Sequence, residues 1–423
     1  MKSGKGTMPV IIYSKRTIDS IRDCVLENYG TIKYELPFIN ALCVEVPAKK
    51  LGYIKCNADI ALISKDAVVS KLPIPETDTE TELSRFGISS LNNNLSKLFK
   101  KLNSSKPKAT KCTFSNSCGG DGVTIAIIDT GLAPHYDVIK PTNRILAFKD
   151  FVNNAFIPYD DDGHGTHVAG IAAGSGYLLG GPDIFELLKM LSPEQVCNIA
   201  CMGTAPNAKI VALKALDQEG NGSTSDILAA MQWVADNHLK YNIRVVNLSL
   251  GIDATSFDIN GDGIDDVADP LVLGANALVN KGITVVTAAG NGGPEGGTIS
   301  SPGTSPYVIT VGSAAYDKGK DSDSWKWSIP EFSSRGPTAN GTTKPDIVAP
   351  GVEILSLSAN TGKQYLRQSG TSMSAPAVAG AAACLHAAYP KLSPAQVKRI
   401  LMSSAVPLSE VPTNAQGAGL LNL

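Results

Sequence analysis

Residues 123–129 read VTIAIID, a continuous apolar run closed by an aspartate, and the same design recurs four times downstream. KIVALKAL (209–216), RVVNLSL (244–250), TVVTAAG (284–290) and YVITVG (307–312) are short, rich in β-branched residues and largely apolar rather than alternating. Strands of that kind belong to a parallel sheet covered on both faces. The stretches between them, HVAGIAAG (167–174), SDILAAMQWVADNH (225–238) and PLVLGANALVNKG (270–282), read as helices. Strands alternating with helices specify an α/β fold: a doubly wound, mostly parallel sheet with helices on both faces. Such sheets bind ligands beyond the carboxyl ends of their strands, so chemistry is expected in the residues that follow these runs.

The N-terminal portion has a different rhythm. Residues 1–72 read as a small α+β unit: strand PVIIYSK, helix TIDSIRDCVLENYG, two strands in TIKYELPFINALCVEVP, helix AKKLGYIKCNADI and a closing strand ALISKDAVVSKL. This β-α-β-β-α-β order is ferredoxin-like. Residues 73–84, PIPETDTETELS, open with two prolines among polar and acidic residues and read as a linker. Residues 85–423 form the large unit, and its early run 92–118, with six lysines and no acid, reads as a solvated surface loop.

Composition narrows the classes. At 423 residues there is room for one large domain and a small one, and a net charge of −2 argues against nucleic acid or an anionic membrane as partner. No apolar run approaches the roughly 20 residues that span a bilayer. The N-terminus MKSGKGTMPVIIYSK has no apolar signal region, which favours a cytoplasmic protein; secretion stays open if a leader preceded this sequence. Eight cysteines at 24, 43, 56, 112, 118, 197, 201 and 384 make no dense disulfide framework. Free thiols are the favoured reading; Cys112 with Cys118 and Cys197 with Cys201 remain possible short loops.

Four chemically distinctive sites fall around the apolar runs. Asp129 ends IAIID, His164 opens DDGHGTHVAG, Asn291 follows TAAG, and Ser372 sits in SGTSMSAP (369–376) ahead of the small-residue stretch AVAGAAACLHAAY. A serine hydroxyl is a weak nucleophile and needs a base, a group to orient that base and donors for the oxyanion. At a helix start, backbone N–H groups and the dipole face developing negative charge. Taken alone, GTS before a helix reads as a cap, and Asn among glycines as a turn. The acidic run Asp160, Asp161 and Asp162 reads as a surface turn, with tuning of His164 or preference for basic substrate residues as alternatives.

The blocks DTG, HGTHVAG, AAGN and GTSMSAP, in this order, resemble the signature blocks of the subtilase superfamily of serine proteases. FSSRGPT (332–338) and KPDIVAPGVEI (344–354) resemble a further block of that family. The resemblance implies a subtilisin-like catalytic domain and a serine endopeptidase acting through an acyl-enzyme on Ser372. His164 would be the base, Asp129 its orienter and Asn291 the side-chain oxyanion donor. His167 is left as a structural histidine. Ser249, Leu250 and Gly251 would form one wall of the peptide-binding cleft, Ala289 and Gly290 the opposite wall, and Ser300 with Ser301 the pocket floor. The family also implies that residues 1–72 are an inhibitory, chaperone-like prosegment and that autocleavage falls in or near 73–84. Expected partners are protein or peptide substrates and the prosegment as intramolecular inhibitor. An inert homologue acting as a peptide-binding module, and a narrow processing protease for one partner, are the alternatives.

Calcium is the second chemical expectation. In DINGDGIDDVAD, Asp258, Asn260, Asp262, the Ile264 carbonyl, Asp266 and Asp269 fall at ligand positions of an EF-hand-like loop, with Gly263 at the sharp turn. No EF-hand helices flank it, so a structural ion is expected. Asp137 resembles a calcium ligand of extracellular subtilisins, but the long insertion GSGYLLGGPDIFELLKMLSPEQVCNIAC (174–201) replaces the loop that would complete that site.

Overall fold

The computed structural model describes residues 6–73, 75, 119–180, 202–253, 269–318 and 325–422. In the N-terminal unit, β1 (Thr7–Ser14), α1 (Asp19–Glu27), β2 (Thr31–Leu36), β3 (Ala41–Pro47), α2 (Leu51–Lys55) and β4 (Ile60–Lys65) follow one another as the sequence pattern requires. The four strands pair in the order β2-β3-β1-β4, which is the ferredoxin-like arrangement. Val10, Ile12, Ile21, Val25, Leu42, Val44 and Ile54 close a small core of their own.

One expectation fails here. The closing strand ALISKDAVVSKL is not a single strand: it breaks at Asp66–Ala67, and β5 (Val68–Lys71) leaves the sheet altogether. β5 pairs antiparallel with β9 (Asn221–Ser223) on one side and β11 (Leu250–Gly251) on the other, both in the large unit. The break has a local cause. The Asp66 carboxylate accepts from Ser225 N–H at 2.8 Å, in the first turn of α4 (Thr224–Tyr241), and so turns the chain toward that helix.

The large sheet runs β14 (Trp325–Ser328), β13 (Ile309–Lys318), β12 (Thr284–Ala288), β10 (Ile243–Leu248), β6 (Thr124–Asp129), β8 (Lys209–Lys214), β7 (Ile145–Asp150), with β15 (Ile347–Pro350) also on β13. All pairings are parallel except β13 with β14. All six residues of β6 and all five of β12 are buried, as their unbroken apolar patterns require. α3 (His164–Ala173) and α6 (Thr371–Ala388) pack on one face and share an apolar cluster with α7 (Pro394–Ser404). α4 and α5 (Pro270–Asn280) lie on the other face, and their cluster also takes in Ile11, Tyr13, Leu36 and Cys43 of the N-terminal sheet. The two units thus share buried apolar surface. At its edge Tyr34 Oη donates to Asp226 at 2.7 Å, Lys33 pairs with Asp226 at 3.0 Å and Phe38 N–H donates to Gln232 at 3.0 Å.

The chain passes from β6 to β7 and β8 on one side and returns to β10 on the other, so the strand order, not the strand direction, reverses between β6 and β10. Asp129 and Ser249 stand at the carboxyl ends of these strands, at the position where open α/β sheets hold ligands. A two-stranded ribbon, β16 (Ile354–Leu357) with β17 (Tyr365–Gln368), covers α3. Among the described residues no helix is long and apolar enough to cross a membrane. Cys24, Cys43, Cys56 and Cys384 form no disulfide, and the other four cysteines lie outside the described residues.

Candidate active site

Asp129 leaves the buried end of β6 and His164 opens α3. The His164 Nδ1 to Asp129 Oδ1 distance is 2.7 Å, and Thr130 N–H donates to the same oxygen at 2.7 Å. Both side chains are buried, at 1% and 0% exposed. Facing a carboxylate, Nδ1 carries the proton, so the neutral ring presents its lone pair at Nε2. Burial pushes the imidazole toward its neutral form; the charge and hydrogen bond of Asp129, with Asp162 adding, outweigh this and raise its pKa above 6.5. His164 Nε2 and Asp129 Oδ2 are buried and have no hydrogen-bond partner among the described residues.

Ser372 lies within the first turn of α6 rather than ahead of it, because the helix already begins at Thr371. The preceding Gly370 adopts φ 145°, and a Cβ there would come within 3.0 Å of Asn291 Nδ2, so a side chain at 370 would crowd that amide. Ser372 Oγ donates to the Ser249 carbonyl at 3.2 Å, and Ser249 Oγ donates back to the Ser372 carbonyl at 2.9 Å. Ser249 therefore locks the serine turn from behind, and its side chain does not line the cleft.

Asn291 is oriented by Thr371, whose backbone N–H and Oγ1 both donate to Asn291 Oδ1, at 3.0 and 2.8 Å. The amide Nδ2 then points outward and donates to the Pro73 carbonyl at 2.6 Å. The sequence offered no sign of this role for Thr371, since a threonine one residue before the serine reads as a helix start.

Around the cleft, Leu250 pairs with Lys71 and Gly251 with Ser70. Ala289 accepts from Ser300 N–H at 2.9 Å, and Gly290 N–H donates to Thr371 Oγ1 at 3.2 Å. Ser301 closes the region by an antiparallel bridge to Ile252. The structure thus brings Leu250, Gly251, Ala289, Gly290 and Ser300 to one cleft, with residues 68–73 of the same chain lying in it.

His167 stands one turn beyond His164 and meets no carboxylate. Its Nε2 lies 3.1 Å from both the Ile354 and Leu366 carbonyls, and burial first, then His164, lower its pKa to about 3. The acidic run is not a plain solvated turn. Asp160 accepts from Thr130 Oγ1, Gly163 N–H and Thr166, Asp161 pairs with the buried Lys214 at 2.6 Å, and Asp162 pairs with Lys71. Lys214, which sequence reasoning passed over, also donates to the Thr130 and Leu216 carbonyls and so ties the end of β8 to the Asp129 turn.

Of the calcium-loop residues, Asp258, Asn260, Asp262, Ile264 and Asp266 lie outside the described residues. Asp269 is described, and it caps α5: its Oδ1 accepts from Leu271 and Val272 N–H at 3.0 and 3.2 Å. Its carboxylate is buried and faces the Ser301 side chain, and burial raises its pKa. Asp137 does not fit a metal. Both its oxygens accept from donors, Leu178 N–H at 3.0 Å and Tyr365 Oη at 2.7 Å, and the Arg144 guanidinium donates to its carbonyl. Among the described residues no group of three or more His, Cys, Asp or Glu is clustered as metal ligands.

A strand order that switches beside Asp129, a carboxylate on a helix-starting histidine and a serine in the first turn of a buried helix are the framework of a subtilisin-like fold. The subtilase family model matches residues 120–422, and the chain belongs to that family. It is 38% identical over 322 residues to serine protease AprX of Bacillus subtilis, an alignment covering 72% of this chain and 65% of AprX. The chain therefore spans just under two thirds of that relative's length. It is 29% identical to the thermostable alkaline protease of Halalkalibacterium halodurans, over 92% of this chain and 82% of that one. Subtilisin Savinase of Lederbergia lenta is 31% identical, over 72% of this chain and 90% of its own.

Proposed function

We propose that the chain is a serine endopeptidase made as a self-processing zymogen. Ser372 attacks a peptide carbonyl while His164 Nε2 takes its proton; Asp129 holds the ring in the required tautomer and stabilises the imidazolium. The carbonyl oxygen becomes an oxyanion beside Asn291 Nδ2 and the N-terminus of α6. His164 then returns the proton to the leaving amine, and water attacking the acyl-enzyme regenerates Ser372. The observation that carries this reading is the Pro73 carbonyl on Asn291 Nδ2, at 2.6 Å, at the end of a segment paired as a strand in the cleft. Substrates binding by added backbone pairing would follow the same path.

On this reading residues 1–72 are an inhibitory prosegment, 73–84 the linker in or near which the chain cuts itself, and 85–423 the catalytic domain. Partners are protein or peptide substrates and the prosegment itself. A calcium ion held by loop 258–269 belongs to the same proposal, supported by the loop's acid spacing.

One observation favours the inert peptide-binding alternative: Ser372 Oγ bonds to Ser249 rather than to His164. The protease reading requires that side chain to change rotamer. Labelling with a fluorophosphonate probe separates the two. The wild type should label covalently and Ser372→Ala should not; an unlabelled wild type that still binds peptide would establish the inert reading.

A further inference from the structure

The three adjacent aspartates before His164 have different fates, and only one of them faces the peptide in the cleft. Asp160 is taken up by the turn itself and Asp161 by Lys214. Asp162 is held by one oxygen, Oδ1, which accepts from His164 N–H at 3.1 Å. Its other oxygen receives Lys71 Nζ, with the two side chains only 7% and 24% exposed. The lysine stem has a prepared bed. Gly220 accepts from Lys71 N–H at 2.7 Å, and a Cβ at Gly220 would fall 2.5 Å from Lys71 Cδ. Any side chain at 220 would displace the stem, and the φ of +79° there suits glycine.

We propose that Asp162 and Gly220 form a specificity subsite for a lysine in the substrate position opposite Leu250. The inference deepens the protease reading and rests on it. Strand pairing in the cleft is backbone to backbone and largely indifferent to sequence, so selectivity has to come from side-chain pockets. A carboxylate already oriented by the helix start, mostly withdrawn from water, favours an ammonium and repels a carboxylate. The prosegment supplies that lysine from within the chain and so occupies the subsite as substrate would. Proteins with lysine at this position are the expected substrate class.

The test uses the full chain and internally quenched peptides carrying residues 66–76, with Pro73→Ala in the peptide to remove an imino acid near the cut, differing only at 71. Because Asp162 also acts on His164, the readout is the ratio of kcat/KM between peptides within one variant, in which any change in the base cancels. Wild type should prefer lysine over alanine by about tenfold. Asp162→Asn should bring the ratio near one, and Asp162→Glu should restore part of it. Equal rates in the wild type, or an unchanged ratio in Asp162→Asn, would overturn the subsite and leave the protease reading standing. If no peptide is cut, that reading fails, and amide exchange in the uncleaved Ser372→Ala chain decides the contact. There Asp162→Asn should speed exchange at residues 70–72 and Lys71→Arg should not; unchanged exchange would overturn the inference.

Discussion

His164 and His167 stand one turn apart in α3, equally buried, and their surroundings drive them in opposite directions. Beside the Asp129 carboxylate, His164 keeps a raised pKa and an Nε2 with no hydrogen-bond partner among the described residues. Under the β16–β17 ribbon, His167 meets two carbonyls and a pKa lowered to about 3. Since both partners are carbonyls, its Nε2 must carry the proton, so it is locked as a neutral donor. Burial alone makes a structural histidine, and burial with a carboxylate makes one poised to take and return a proton.

The contrast is sharpest in rate. His164→Ala and Ser372→Ala should each lower kcat by about 10⁶-fold, the size of the effect in subtilisin, a member of the same family. Active-site-normalised kinetics checks this, and loss of only tenfold in His164→Ala would break the comparison. Asn291→Ala should cost about 10²–10³ in kcat with a smaller change in KM, since its amide acts on charge that develops after binding. His167→Ala should act on folding instead, removing a fully buried ring and the hydrogen bond by which α3 holds the β16–β17 ribbon, and lowering stability by about 2–3 kcal/mol in a denaturant titration.

The two histidines also separate by pH. Activity requires neutral His164, so its raised pKa places the acid limb of kcat/KM above the ordinary histidine value of about 6.5. Asp162→Asn removes a charge that favours the imidazolium and should move that limb to lower pH. His167 titrates through stability. The unfolded chain binds its proton near the ordinary value and the folded chain only near 3, so stability is full above about 6.5 and is lost as pH falls through that window. Melting curves from pH 7 to 4 should fall more steeply for wild type than for His167→Gln. The smallest effect expected is from calcium: a chelator should lower the melting temperature by about 2–4 °C, and an unchanged curve would count against an ion in loop 258–269.

Much of this was legible in the residues. Continuous apolar runs gave the parallel sheet, and the aspartate, histidine, asparagine and serine blocks lay at its strand ends or helix starts, where the fold gathers them. Local pattern did not reveal partners distant in sequence. Residues 61–72 read as one strand because apolar residues stand on both sides of Ser64-Lys65-Asp66, yet Asp66 turns the chain toward α4 and β5 pairs 150 or more residues away. The aspartates 160–162 look equivalent in sequence, and only the folded cleft assigns each a different cation or turn. Asp269 fits a ligand spacing and a helix cap equally well, and Pro270 at the first helical position was the available sign of the cap.

The central claim is that Ser372 acts on the chain's own segment lying in its cleft. Intact mass after incubation, for wild type beside Ser372→Ala, tests it most directly. The account expects the wild type to split at or shortly after Pro73 and the variant to remain whole. Both chains staying whole with no peptide hydrolysed, or both splitting at the same place, would contradict it.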